Sequence, residues 1–256
     1  MRSASVLTGT LSLLATSQVR ALDAFEIQVY DGTADAPGKP GLELHANTVV
    51  SGQRDAVPPE LPANHQTHLT LEPSLGITRW WEVGMYLQTT VLPDGTLAYS
   101  GIKLRSKFVR PNWPAERLRF GLNLEISDLP PSYDPNRWGA EVRPILAYST
   151  PSRRFAFAFN PILDFDLAGA GSGGWPSFEP ALSALFVVDG LLSAGFEYYG
   201  DLGPIDQPSR PSAQQHYLFE VLNLLRWPRI ELNVGVGEGL TAASNPFVVK
   251  MILGVQ

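Results

Sequence analysis

The chain has 256 residues, a formal net charge of −6, 17% charged residues and no cysteine. The lack of cysteine excludes disulfide bonds and thiolate metal sites. The negative net charge offers no basic surface of the kind that binds nucleic acid. No apolar run reaches the about 20 residues that a membrane-spanning helix needs, and the length suits one large all-β domain.

The first 21 residues predict a secretory signal peptide. Arg2 supplies a positive charge, residues 6–15 are mostly apolar, and cleavage is expected after Ala21. A short buried element of a soluble domain is the alternative reading. Residues 22–40 follow as a separate N-terminal segment, in which a strand-like run at residues 25–30 is succeeded by glycine and proline.

Residues 41–256 contain twelve segments, most of which alternate apolar and polar residues with a period of two. Side chains alternate across a strand, so each segment is predicted to be a strand with one oily and one polar face. The segments are Gly41–Ser51, Thr67–Ile77, Trp80–Val91, Thr96–Val109, Glu116–Ser127, Trp138–Ser149, Arg154–Leu167, Ser177–Val187, Gly190–Gly200, His216–Leu225, Arg229–Gly237 and Pro246–Val255.

The connections between these strands alternate between short and long. Short periplasmic turns and long extracellular loops are typical of bacterial outer-membrane barrels, which also have an even number of strands. The tight turn at Pro93-Asp94-Gly95 is the exception, and Asp189-Gly190 is a second hairpin signal. The pattern predicts an all-β fold, a 12-stranded antiparallel transmembrane β-barrel in the outer membrane of a Gram-negative bacterium. Outer-membrane lipid and the barrel assembly machinery are the expected partners.

A thirteenth wall strand would make the strand count odd. The segment at residues 22–40 is therefore expected inside the lumen or under the periplasmic rim, and the sequence does not decide between these two positions.

Charged residues on the polar faces are the candidates for lining the lumen. Strands four to six carry most of the basic ones, and the other strands carry mainly acidic ones, so a basic wall is expected to face an acidic wall. Glu220 is counted among the acidic ones, although the strand His216–Leu225 alternates poorly and its orientation is only weakly indicated. The same charges could instead close the lumen by forming salt bridges with one another. The candidates are Lys103, Arg105, Lys107, Arg117, Arg119, Arg143, Glu72, Glu82, Glu125, Glu141, Glu197 and Glu231.

Two hairpin strands, residues 71–78 and 81–87, combine a glutamate-containing strand, a Gly-Ile-Thr turn and a glycine-containing strand. This pattern resembles outer-membrane barrels of the phenol meta-pathway transporter-like group and related proteobacterial transporter barrels. Residues 231–237 resemble the same group. The resemblance implies an outer-membrane barrel that passes small hydrophobic or aromatic compounds, and it transfers no functional residue.

The leading functional hypothesis is a channel or transporter for small solutes, with no cofactor. A closed barrel that acts through its extracellular loops is the alternative. A lipid-modifying enzyme is disfavoured, because the one hydrolase-like pair, His68 and Thr70, is expected to face inward and threonine is a poor nucleophile. A metal site at His65, His68 and Glu72 is also disfavoured, since three-residue spacing on a strand places side chains on opposite faces.

Overall fold

The computed structural model describes residues 23–110, 117–169, 172–188, 192–227 and 230–255, with only the backbone for residues 225–227. The predicted signal peptide and the Asp189-Gly190 turn lie outside the described residues. Among the residues that are described, no helix is long and apolar enough to cross a lipid bilayer.

Twelve strands follow residues 23–39, and each end lies within two residues of the end predicted from the sequence. They are β1 (Pro40–Ser51), β2 (Thr67–Gly76), β3 (Trp81–Val91), β4 (Leu97–Val109), β5 (Leu118–Asp128), β6 (Trp138–Ser149), β7 (Phe155–Ala168), β8 (Ser177–Val187), β9 (Leu192–Asp201), β10 (Gln215–Trp227), β11 (Ile230–Gly239) and β12 (Phe247–Val255).

The strands form a closed barrel in which each strand pairs with its neighbours in the sequence. All pairings are antiparallel, and β1 closes the barrel against β12, with Leu42 opposite Val255 and Ser51 opposite Phe247. Closure leaves no strand edge unpaired. The predicted 12-stranded antiparallel barrel is confirmed.

The two ends of the barrel differ in their connections. The end at which β1 begins and β12 finishes also holds the short connections, such as residues 77–80 and 150–154, and we call it the short-turn end. The other end, the long-loop end, holds residues 52–66 and 202–214. The predicted tight turn at Gly95 is present, with φ +85° at that glycine, a conformation that glycine adopts without steric cost.

The outer surface of the barrel is apolar. Side chains such as Leu104, Phe157 and Leu182 are exposed although they are large and hydrophobic, which is the arrangement of a surface that contacts lipid. At the short-turn end the rings of Trp80 and Phe108 stack 6.1 Å apart, where an aromatic girdle would lie.

One charge has the opposite orientation to the predicted one. The weak alternation of β10 led to Glu220 being counted among the inward charges, but Phe219 and Val221 are the buried residues and Glu220 is exposed. Because side chains alternate along a strand, Glu220 shares the outer face with Leu218 and Leu222.

Candidate functional site

Residues 23–30 lie buried or half-buried inside the barrel, and residues 31–39 continue as a more exposed chain toward the short-turn end. Near the long-loop end, the Asn47 side chain donates a hydrogen bond to the Ala24 carbonyl at 2.9 Å. At the short-turn end, the Gly38 amide donates to the Gly76 carbonyl at 2.7 Å. The first part of the segment therefore contacts the lumen side of the wall, and its last part contacts the short-turn rim.

Side chains of the wall satisfy much of the backbone of this segment. The Thr70 hydroxyl donates to the Phe25 carbonyl at 2.9 Å, and the Lys250 ammonium donates to the Ile27 carbonyl at 3.0 Å. A buried backbone polar group without a partner is costly, so these wall residues replace the neighbouring strand that the segment lacks.

Ile27 anchors the segment to an apolar part of the wall. Its side chain is fully buried in a cluster formed mainly by inward residues of β7–β10 and β12. We call this surface the apolar wall, and it consists of Val49, Ile162, Ala181, Tyr199, Tyr217, Phe219, Val221 and Val248. The sequence prediction missed it, although the weak alternation of β10 was a sign that both faces of this strand are apolar.

Buried ion pairs anchor the segment on the opposite side. Arg143 donates to Glu26 of the segment at 3.0 Å and to Glu141 on its own strand at 2.6 Å. Lys103 pairs with Asp23 of the segment at 2.5 Å and with Glu125 at 3.5 Å. Breaking such a buried pair leaves an uncompensated charge, which typically costs about 3–5 kcal/mol.

Arg105 organises a second group of charges on β2, β3 and β4. Its guanidinium lies 2.6 Å from Glu72 and 2.8 Å from Glu82, and Lys107 is also 2.8 Å from Glu82. Gly84 makes this possible, because a Cβ there would lie 2.9 Å from the Arg105 guanidinium. Arg105 and Lys107 are thus both paired with the carboxylate of Glu82 on the adjacent strand β3.

Tyr30 lies at the centre of these charges. The Arg143 guanidinium is 4.7 Å and the Lys107 ammonium 5.2 Å from the centroid of its ring, distances at which cations are attracted to an aromatic face. The Tyr30 hydroxyl is 2.6 Å from that of Tyr86, which donates to Glu125. No sequence motif distinguished Tyr30 from other tyrosines.

The remaining candidates lie elsewhere in the barrel. Glu197 pairs with Lys250 beside the apolar wall. Arg119 contacts Asp31 at 3.2 Å and is half-buried. Arg117 precedes β5 and Glu231 is the second residue of β11, so both lie at the short-turn rim, where both are exposed.

Asp35 is held at the same rim, where the segment joins β1. Its carboxylate accepts a hydrogen bond from the Ser74 hydroxyl at 2.8 Å, and its amide donates to Glu82 at 2.6 Å. Burial raises the pKa of Asp35 from its ordinary value, although the hydrogen bond from Ser74 opposes the rise.

His68 and Thr70 are not arranged as a hydrolase pair. The His68 ring lies 3.3 Å from the Thr90 hydroxyl, whereas Thr70 donates to the backbone of Phe25. Both residues are buried inside the barrel, so His68 does not activate Thr70 as a nucleophile.

No protein-family model matches this sequence, and no curated protein matches it significantly. Solved structures do match its fold. A crystal structure of an outer membrane channel from Pseudomonas putida F1 is 13% identical with a TM-score of 0.61, and the alignment covers 90% of this chain and 99% of the channel.

Two porins have the same fold. KdgM porin is 8% identical with a TM-score of 0.54, covering 84% of this chain and 98% of the porin. NanC porin is 11% identical with a TM-score of 0.52, covering 85% and 98%. The chain therefore has the fold of outer-membrane channels and porins, in agreement with the predicted outer-membrane location.

Proposed function

We propose that the protein is an outer-membrane channel for small solutes whose lumen is closed at rest by its own N-terminal segment. The observation that carries this proposal is the position of residues 23–30, which lie inside the barrel and contact both the charged side and the apolar wall. Displacement of the segment would leave a passage with charged groups on one side and apolar groups on the other, suited to small amphipathic solutes.

The fold supports a transport role rather than catalysis. The similar structures described above are a channel and two porins, and the interior histidine and threonine are not paired for nucleophilic chemistry. We propose that the protein is not an enzyme.

A second candidate function is a closed barrel that acts through its long loops. The observation that favours it is the extent of charge pairing inside, where Arg105, Arg143 and Lys250 each contact at least one carboxylate. Interior charges that are paired with one another attract a solute less strongly than free charges would.

Single-channel conductance separates the two candidates. The mature chain and a variant lacking residues 23–36 would be refolded, checked for heat-modifiable migration and inserted into planar bilayers. A gated channel predicts rare openings for the mature chain and steady, larger conductance for the deletion variant. Two folded but silent proteins would favour the closed barrel, and equal conductance would show that the segment does not close the path.

A further inference from the structure

Three metal-ligating side chains converge on the inner face of β1 and β2. Glu43 lies directly opposite Glu72 in the strand register, and His45 is two residues beyond Glu43 on the same face. The His45 Nε2 atom is 3.2 Å from a Glu72 oxygen and 3.4 Å from a Glu43 oxygen. One donor atom from each residue lies within 4.8 Å of the others.

The distances from the His45 Nε2 atom to the two carboxylates are compatible with coordination of a common ion as well as with hydrogen bonding. A single Nε2 proton is shared by two carboxylates, and both distances exceed those of a strong charge-assisted bond. Ligand atoms bound at about 2.0–2.2 Å to a tetrahedral zinc ion are separated by about 3.3–3.6 Å. One imidazole nitrogen and two carboxylate oxygens are ligand types that zinc accepts.

The surroundings of the three residues contain polar atoms that lack partners. Gln28 of the N-terminal segment donates to Glu43 at 3.4 Å, while its own Oε1 is buried without a hydrogen-bond partner among the described residues. Rotation of the amide by a half turn would direct that oxygen toward Glu43 and toward an ion bound beside it. The Nδ1 atom of the fully buried His45 also lacks a partner in this part of the chain.

A neighbouring guanidinium orients one of the two carboxylates, and the other carboxylate is partly exposed. Arg105 contacts Oε1 of Glu72 at 2.6 Å, so the other oxygen, Oε2, remains directed at His45. Contacts of this kind, from a residue that does not itself touch the metal, typically orient a ligating carboxylate. The Glu43 side chain is 28% exposed, whereas that of His45 is 0% exposed, which gives access from the short-turn half of the barrel.

We propose that Glu43, His45 and Glu72 bind a divalent transition-metal ion of the zinc class inside the barrel, with the Gln28 amide completing the site. The bound ion takes the place of the proton on Nε2 of His45. Because Gln28 belongs to the N-terminal segment, the ion links that segment to the wall.

The test is a titration of the untagged, refolded full chain with zinc chloride, in which calorimetry measures the binding. A second titration with cobalt chloride reports the coordination of the ion through its absorption spectrum. We expect one zinc ion per chain and a cobalt spectrum that requires His45. His45→Gln and Glu43→Gln are each expected to weaken zinc binding by about 100-fold or more, because even the loss of an outer contact costs about 10–100-fold. Gln28→Ala is expected to weaken it by about tenfold, because water can replace a neutral amide ligand.

His68→Gln is the matched control, because His68 is also a buried histidine of the interior but lies apart from Glu43 and Glu72. It should bind zinc as the unaltered chain does. Folded protein that binds no zinc would overturn the proposal, and so would zinc binding that His45→Gln and Glu43→Gln leave unchanged. Heat-modifiable migration of each variant separates loss of the site from loss of the fold.

Discussion

The side-chain amide of Asn160 pairs with the backbone of Tyr30 in the manner of a neighbouring strand. Its Oδ1 accepts from the Tyr30 N–H at 2.7 Å, and its Nδ2 donates to the Tyr30 carbonyl at 3.0 Å. Both partners are buried. One wall side chain therefore satisfies both backbone groups of a residue at the centre of the lumen, which fixes the height of the N-terminal segment in the barrel.

Asn160→Ala is expected to loosen this part of the segment. Two buried backbone groups lose their partners, and each unsatisfied group costs about 1–3 kcal/mol. Hydrogen exchange of the Tyr30 amide should accelerate by at least about tenfold. The matched control is Asn233→Ala, because Asn233 bonds to Asn223 and not to the segment. Equal protection of Tyr30 in Asn160→Ala and the unaltered chain would contradict the account.

Arg143→Met is expected to destabilise the folded barrel by about 3–5 kcal/mol, because it leaves Glu26 and Glu141 buried without their common partner. Chemical denaturation in lipid vesicles measures the change. Arg137→Met is the control, since the Arg137 side chain is 63% exposed where it pairs with Asp128. Little or no loss of stability is expected there, because an exposed ion pair contributes little. Equal losses in the two variants would show that the interior charges do not hold the segment.

Glu220→Leu is expected to stabilise the barrel in a bilayer. Glu220 faces outward between the exposed Leu218 and Leu222, and a charge on a lipid-facing surface is unfavourable by up to a few kcal/mol near the midplane. Unfolding in vesicles should shift to higher denaturant. Leu222→Glu, one outward position farther along, should shift it to lower denaturant. A loss of stability in Glu220→Leu would indicate that the carboxylate has a partner outside the barrel.

The sequence predicted the wall of the barrel well because a period of two is a local property. In β5 every second residue is apolar, and Phe120 and Leu124 are exposed on the outer face while Asn123 and Glu125 are buried on the inner face. The weak prediction for β10 has a physical cause as well. Phe219 and Val221 belong to the apolar wall, so apolar residues lie on both faces of this strand. The alternation therefore does not show which face points into the barrel.

The sequence did not predict which groups contact one another inside the lumen. The contact of Arg143 with Glu26 joins residues 117 positions apart, and no periodicity encodes such a pairing. The sequence left open whether the interior charges line a path or pair with one another, and in the structure Arg105 pairs with Glu72 and Glu82 on nearby strands. That pairing depends on strand order and register, which the alternation alone does not give.

The most direct test of the account is a reversible cross-link between the N-terminal segment and the wall. A Cβ built on Gly32 lies 3.0 Å from the Cβ of Arg119, close to the about 3.5–4.5 Å of a disulfide, and the chain has no other cysteine. Gly32→Cys alone is the control for the strain that a side chain adds at this glycine, whose φ is +79°.

The conductance of the Gly32→Cys, Arg119→Cys protein would be recorded in planar bilayers before and after reduction. If the segment closes the lumen, we expect a nearly complete cross-link. The oxidised protein should show no openings and the reduced protein should open, whereas the control should open in both states. Folded protein that forms no cross-link would contradict the position of the segment in the lumen. Equal conductance in the oxidised and reduced states would contradict its role as the closure.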